Sequence, residues 1–296
     1  MKPLSSTTGV LYAIASSATF GLIPLFSIPL LSSGIGSPTI LCYRFIVAAI
    51  IMAVVLLFTK RNLRLHAKQL GITVLLSVLY SLTAILLIES YKYIPSGVAT
   101  TIHFLYPLAV TLSMSWLFGE RTTTTTYIAV VVSLVGVALL AWGDHTQGDF
   151  QRGVTLALLT VVTYAAYIVG VMRSSASSID SLVLTFYVLV IGAGLFFIYA
   201  VATTGIEYVH RWSDWRDLIM LALVCTVLSD YTLILAIKRI GSTLTSILGS
   251  MEPLTAVVVG VLYFGEQFDS SSVAGLILII TAVVLVIARA NRSVHG

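Results

Sequence analysis

Charge is what this chain has least of. Only 9% of its 296 residues are Asp, Glu, Lys or Arg, against roughly a quarter in an ordinary soluble domain. A water-soluble fold of this length cannot cover its surface with so few charges, and soluble enzymes and nucleic-acid-binding domains are excluded with it. The formal net charge of +4 falls at the ends of apolar runs and forms no basic patch. The two cysteines, Cys42 and Cys225, both lie inside apolar runs, so no disulfide framework is expected. The five histidines are scattered, with neither H-E-x-x-H nor paired-cysteine spacing, so neither a metal nor a cofactor is expected. Proline is sparse, seven in all, which makes the place of each one informative.

Apolar residues are what the chain has most of: 58% of the sequence, with a mean hydropathy of +1.03. Runs of about 18 or more such residues, each able to cross some 30 Å of hydrocarbon, recur from end to end. Ten spans are expected, at 8–31, 38–59, 69–90, 97–118, 124–143, 152–172, 181–203, 218–237, 242–264 and 271–289. The class is therefore an all-α polytopic membrane protein. The first run is as long as the others and reads as a retained helix rather than a cleaved signal peptide.

Orientation follows from Lys and Arg, which collect on the cytoplasmic side. With the N-terminus inside, that side receives Lys2, Lys60, Arg61, Arg64, Lys68, Arg121, Arg173, Lys238, Arg239, Arg289 and Arg292. The outer side receives Lys92, Arg152, Arg211 and Arg216, and Arg44 lies within a helix. Both termini are expected in the cytoplasm.

The phrase LYPLAVTLSMSWLFGE returns as MEPLTAVVVGVLYFGE. A shift of 146 superposes Lys92, Ile94, Ser96, Pro107, Leu108, Phe118, Gly119 and Glu120 on Lys238, Ile240, Ser242, Pro253, Leu254, Phe264, Gly265 and Glu266 without a gap. A shift of 144 pairs Gly9 with Gly153, Ala13 with Ala157, Thr19 with Thr163 and Tyr43 with Tyr187. Two five-helix units, 1–148 and 149–296, are expected. An odd helix number makes the second enter the membrane from the opposite face, as an inverted repeat with its substrate site near the midplane. Pro107 and Pro253, expected mid-span, each remove a backbone donor and are assigned as hinges. Glu120 and Glu266, in the interfaces, are read as structural.

This pattern resembles the EamA-type members of the drug/metabolite transporter superfamily, over nearly the whole chain. Among them the chain is most similar to the YddG-type bacterial exporters. That resemblance implies an inner-membrane exporter of amino acids, aromatic ones preferred, with aromatic cations also accepted. It also implies a cavity built from helices 1, 3, 4, 6, 8 and 9. The alternative is a transporter of another small metabolite or drug within the same superfamily.

The polar residues fall on helix faces that suit such a cavity. Thr100, His103, Phe104 and Pro107 share one face of the fourth span, and Ser246, Gly249, Ser250 and Pro253 the matching face of the ninth. The sixth presents Thr160, Thr163, Tyr164 and Tyr167, the third Ser77, Tyr80 and Ser81, and the first Ser16, Thr19, Phe20 and Ile23. Hydroxyl stripes also pack helices together at little gain each, but mid-membrane tyrosines need a partner or a wet cavity. Tyr80, Thr100, His103, Tyr164, Tyr167, Ser246, Ser250 and Glu252 are the candidate substrate-binding residues. Arg44 reads as a structural pair or a snorkelling side chain, and Asp230 is left open between a structural and a functional role. The cavity is expected to be built from rings and hydroxyls rather than a fixed charge pair. An intramembrane aspartyl protease would need a second membrane aspartate, a retinal pigment a mid-helix lysine, and a channel a ring of like charges. None is present, so no enzymatic activity is expected.

Overall fold

The computed structural model describes residues 6–119, 124–125, 128, 131–132, 135–136, 139, 149–249, 251–266, 270–271, 273–278 and 280–282. The expected fifth span, the end of the tenth, Glu120 and Ser250 lie wholly or largely outside them. No strand occurs among the described residues.

The helices are α1 (Ser6–Phe20), α2 (Ile23–Ser32), α3 (Ser37–Thr59), α4 (Ala67–Ser90), α5 (Ser96–His103) and α6 (Tyr106–Phe118). They continue as α7 (Phe150–Arg173), α8 (Ser181–Thr203), α9 (Trp212–Ala222), α10 (Ser229–Leu248, kinked at Gly241 where φ is 82°) and α11 (Met251–Phe264). A π-helical segment, Leu223–Leu228, joins α9 to α10. Among the described residues seven stretches are long and apolar enough to cross a membrane: Thr7–Ser32, Ser37–Thr59, Ala67–Ser90, Ser96–Phe118, Phe150–Arg173, Ser181–Thr203 and Trp212–Ser242. Met251–Phe264 and Val273–Ala282 are shorter apolar helices.

The surface is the reverse of a soluble protein's. Leu57, Phe58, Trp116 and Leu262 are 70–84% exposed, while Ser27, Ser37, Thr39, Ser77 and Thr160 are wholly buried. Lipid solvates the first set, and the second holds neighbouring backbones close. Packing joins the two halves of the chain throughout: α1 lies on α10, α3 on α8, α4 on α7 and α8, and α6 on α7.

Two glycines that the sequence pairs allow close approaches. A Cβ on Gly9 would stand 2.4 Å from Ile240 Cγ2, and one on Gly153 would stand 2.7 Å from Ile94 Cγ2. Each is the first-helix glycine of one half against the isoleucine that precedes the fourth helix of the other.

Three spans are broken rather than bent. α1 gives way to α2 at Gly21-Leu22, α5 to α6 at Phe104-Leu105, and α10 to α11 after Leu248. A proline is second or third in each following helix: Pro24, Pro107 and Pro253. The expectation of prolines in mid-helix is corrected: these residues begin helices, where a missing N–H costs nothing. Freed carbonyls near the breaks find donors, Leu248 O accepting from Ser17 Oγ at 3.2 Å and Gly249 O from Glu252 N at 2.9 Å. Irregular backbone at membrane depth needs such partners.

Candidate functional site

The three breaks meet. A Cβ on Gly21 would lie 2.5 Å from Glu252 O and 2.6 Å from Thr255 Cβ, so the first span touches the ninth where both are interrupted. His103 ends α5, and Glu252 is the second residue of α11, so its carboxylate sits at a helix N-terminus that favours negative charge. His103 Nε2 and Glu252 Oε1 are 3.6 Å apart, with both side chains 3% exposed. That separation is within ion-pair range but too long for a direct hydrogen bond. Glu252 Oε2 has no partner. On the other side of the ring, His103 Nδ1 meets Thr160 Oγ1 at 2.7 Å.

Around this pair lies a cavity of about 20 Å³, lined by Phe20, Arg44, Tyr80, Thr83, His103, Tyr164 and Glu252 among others. Such a volume holds about one water. Larger hollows of 490 and 570 Å³ lie on the flanks, between α4, α7 and α8 and between α6 and α7. Their walls include exposed leucines, as a lipid-facing groove requires.

Aromatic rings form a continuous wall. Tyr106 meets Tyr164 edge-on at 4.7 Å, Phe20 meets Tyr164 edge-on at 6.1 Å, and Tyr80 lies 5.2 Å from Tyr167. Such contacts add about 0.5–1.5 kcal/mol each beyond their burial. The Tyr80 hydroxyl donates to Asp230 Oδ1 at 2.6 Å, and Asp230 Oδ2 is without a partner.

Four of the residues singled out from sequence, Tyr80, His103, Tyr164 and Glu252, line this one cavity. Tyr167 is packed behind Tyr80 and Tyr164 and is not in the lining. Thr100 also lies outside it, its hydroxyl 3.4 Å from that of Tyr91. The Ser246 side chain and all of Ser250 fall outside the described residues. No cluster of metal-ligating side chains occurs among the described residues.

Two acid–base groups carry more than the sequence reading allowed. Arg44 is 2% exposed, so it does not snorkel, and it lines the cavity together with Glu252. The cavity expected to be built from rings and hydroxyls rather than a fixed charge pair is thus lined by two ionisable side chains as well, Arg44 and Glu252. Asp230 is drawn in through Tyr80. The only advance signal for either was an ionisable residue inside an apolar run, which costs about 2.5–3.5 kcal/mol on insertion scales and so marks function by default.

Broken helices whose ends enclose a small chamber within an apolar bundle are an arrangement that polytopic transport proteins use. The EamA-like transporter family matches at residues 7–142 and 151–288, and the chain belongs to that family. It is 26% identical over 270 residues to the uncharacterized transporter YvbV of Bacillus subtilis, covering 88% of this chain and 83% of that one. It is 25% identical over 291 residues to the protein RarD of Streptomyces exfoliatus, covering 97% and 90%. It is 28% identical over 200 residues to the threonine/homoserine exporter RhtA of Escherichia coli, covering 65% and 63%. A solved crystal structure shares the fold with a TM-score of 0.74 at 18% identity, over 97% of this chain and 100% of that chain.

Proposed function

We propose that this chain exports amino acids across the bacterial inner membrane by alternating access, with the cavity around His103 and Glu252 as its substrate site. The observation that carries the reading is the convergence of three helix breaks on one buried chamber lined from both halves of the chain. The threonine/homoserine exporter among its relatives supports amino acids as the substrate class. The tyrosine wall supports large apolar and aromatic side chains, with rings against the substrate and hydroxyls toward its polar groups.

In this reading residues 1–148 and 149–296 are two inverted units with both termini in the cytoplasm. Support comes from the mirrored contacts Gly9–Ile240 and Gly153–Ile94, and from the most extensive helix packing, α3 on α8, α1 on α10 and α4 on α7, which each time joins one half to the other. Seen as a water-sized space, the chamber is closed around its site. Substrate enters when the walls part, and Pro107 and Pro253 start the half-helices that would swing. Thr100, Tyr167, Ser246 and Ser250 are assigned to the walls that open.

The test is counterflow in proteoliposomes with radiolabelled phenylalanine and threonine, in wild type and Tyr80→Ala at matched protein. Both substrates should exchange in wild type, and Tyr80→Ala should slow phenylalanine several-fold more than threonine. Conductance without counterflow would make the protein a channel. Exchange of neither amino acid would remove the reading.

A further inference from the structure

One group in the chamber is left unexplained by rings and hydroxyls: the Arg44 guanidinium. It is charged at any physiological pH and carries five N–H donors. Nε donates to Thr226 Oγ1 at 2.6 Å and Nη2 to Cys225 O at 3.2 Å. Both acceptors sit in the π-helical segment. The Thr226 hydroxyl spends its own proton on Leu221 O at 2.8 Å, so its oxygen is free to accept from Arg44. These acceptors are neutral, and they hold only one edge of the guanidinium. Among the described residues no carboxylate lies within 4.0 Å of Arg44, and Nη1 has no hydrogen-bond partner.

Across the same chamber Glu252 Oε2 is also without a partner. One cavity in a low-dielectric bundle is thus lined by a cation with no carboxylate in ion-pair reach and by a carboxyl group with one unpartnered oxygen. A buried charge is tolerated when something completes it, and neither wall completes the other by direct contact. Resting on the transport reading, we propose that Arg44 receives the carboxylate and Glu252 the ammonium of a zwitterionic substrate. The substrate class is therefore the free α-amino acid, and neutral drugs or simple amines are poor cargo. Arg44 is pinned by the π-helical segment through Nε and Nη2 and lines the chamber, and a guanidinium so held suits the planar, two-point grip it gives a carboxylate.

The alternative is that Arg44 only anchors the π-helical segment, its charge offset at longer range by Asp230. Substrate analogues separate the two. Counterflow of radiolabelled phenylalanine by the full-length protein in proteoliposomes is competed, at mildly acidic pH, with unlabelled phenylalanine, its primary amide and its N-acetyl derivative. The amide lacks the carboxylate and the N-acetyl compound lacks the ammonium. Wild type should prefer phenylalanine over each analogue by about tenfold or more, the scale of a charge-assisted hydrogen bond. In Arg44→Gln the acid-to-amide preference should collapse to within about threefold while the preference over the N-acetyl compound persists; Glu252→Gln should show the reverse. Equal competition by acid and amide in wild type overturns the inference, as does an Arg44→Gln protein that keeps the preference. If Arg44→Gln does not fold, the wild-type ratios decide alone. Absence of counterflow with phenylalanine and threonine alike overturns the transport reading itself, which is a different result.

Discussion

His103 stands on Thr160, Nδ1 to Oγ1, at 2.7 Å. The threonine has one proton to donate and gives it to Ala157 O at 2.5 Å, so the histidine is the donor and Nδ1 carries hydrogen. Nε2 then faces Glu252 Oε1 at 3.6 Å. A bare ring nitrogen facing a bare carboxylate would be repelled by it in so buried a site. One proton therefore belongs between them, on ring or carboxyl, and the pair is neutral as a unit.

An arriving ammonium at Glu252 displaces that proton, which predicts exchange of protons for substrate. The groups facing the pair are Arg44, Tyr80, Tyr106 and Tyr164, none of them a carboxyl, and Asp230 stands one residue further back on the Tyr80 hydroxyl. Net amino-acid efflux from proteoliposomes should quicken when the exterior is acidified, because protons enter as substrate leaves. In Glu252→Gln the rates with and without the gradient should be equal, although exchange of labelled for unlabelled substrate continues. A wild type indifferent to the gradient would refute the coupling.

The proline positions predict a kinetic effect. Pro107 and Pro253 keep the half-helices α6 and α11 separate from the segments before them. Alanine at either site would favour a continuous helix by about 3 kcal/mol of relieved penalty and stiffen the joint. Pro107→Ala and Pro253→Ala should slow counterflow several-fold with little change in expression or thermal midpoint. Wild-type rates in both would reduce these residues to markers of helix starts.

Backbone proximity at the breaks predicts a stability contrast between two glycines. A Cβ on Gly21 would meet Glu252 O at 2.5 Å, whereas one on Gly71 would meet nothing within 4 Å. Gly21→Ala should cost about 1–3 kcal/mol as an overpacked site and lower the thermal midpoint in detergent. Gly71→Ala should leave it unchanged or raise it slightly. Equal midpoints would mean that the first and ninth spans are not in contact there.

Glu266, expected to be structural, caps a helix of the other half. Its carboxylate accepts from Ser96 N at 2.9 Å, Ser96 Oγ at 2.6 Å and Gly97 N at 3.3 Å. The two backbone N–H groups are among the orphan donors that open α5. Glu266→Ala should cost about 0.5–2 kcal/mol, the range for losing an N-cap, and Glu266→Gln should recover part of it. A thermal melt of the two variants measures the difference, and an unshifted Glu266→Ala midpoint would argue against the cap.

Hydropathy alone determined the medium, the helical class and most span boundaries, because a bilayer demands long apolar runs with their backbone groups satisfied internally. Thr7–Ser32 and Ser181–Thr203 could be read this way almost to the residue. Helical phase was enough to bring Tyr80, His103 and Tyr164 to notice, since residues three and four apart share a face. The same phase put Thr100 with His103 and Tyr167 with Tyr164, yet neither Thr100 nor Tyr167 lines the cavity. A stripe marks a buried face but not which neighbour that face meets, so Thr100 turned to Tyr91 and Tyr167 to the back of the wall. Tertiary structure decided that the spans break instead of bending, because Gly21, Ser17 and their partners across the bundle supply the contacts that make an interrupted helix tolerable. It also decided the role of Arg44, whose acceptors are 181 and 182 residues away along the chain, on a π-helical turn that no local pattern announces. A charge inside a membrane can be seen in a sequence; the groups that satisfy it, and the edge left open, exist only once distant helices have packed.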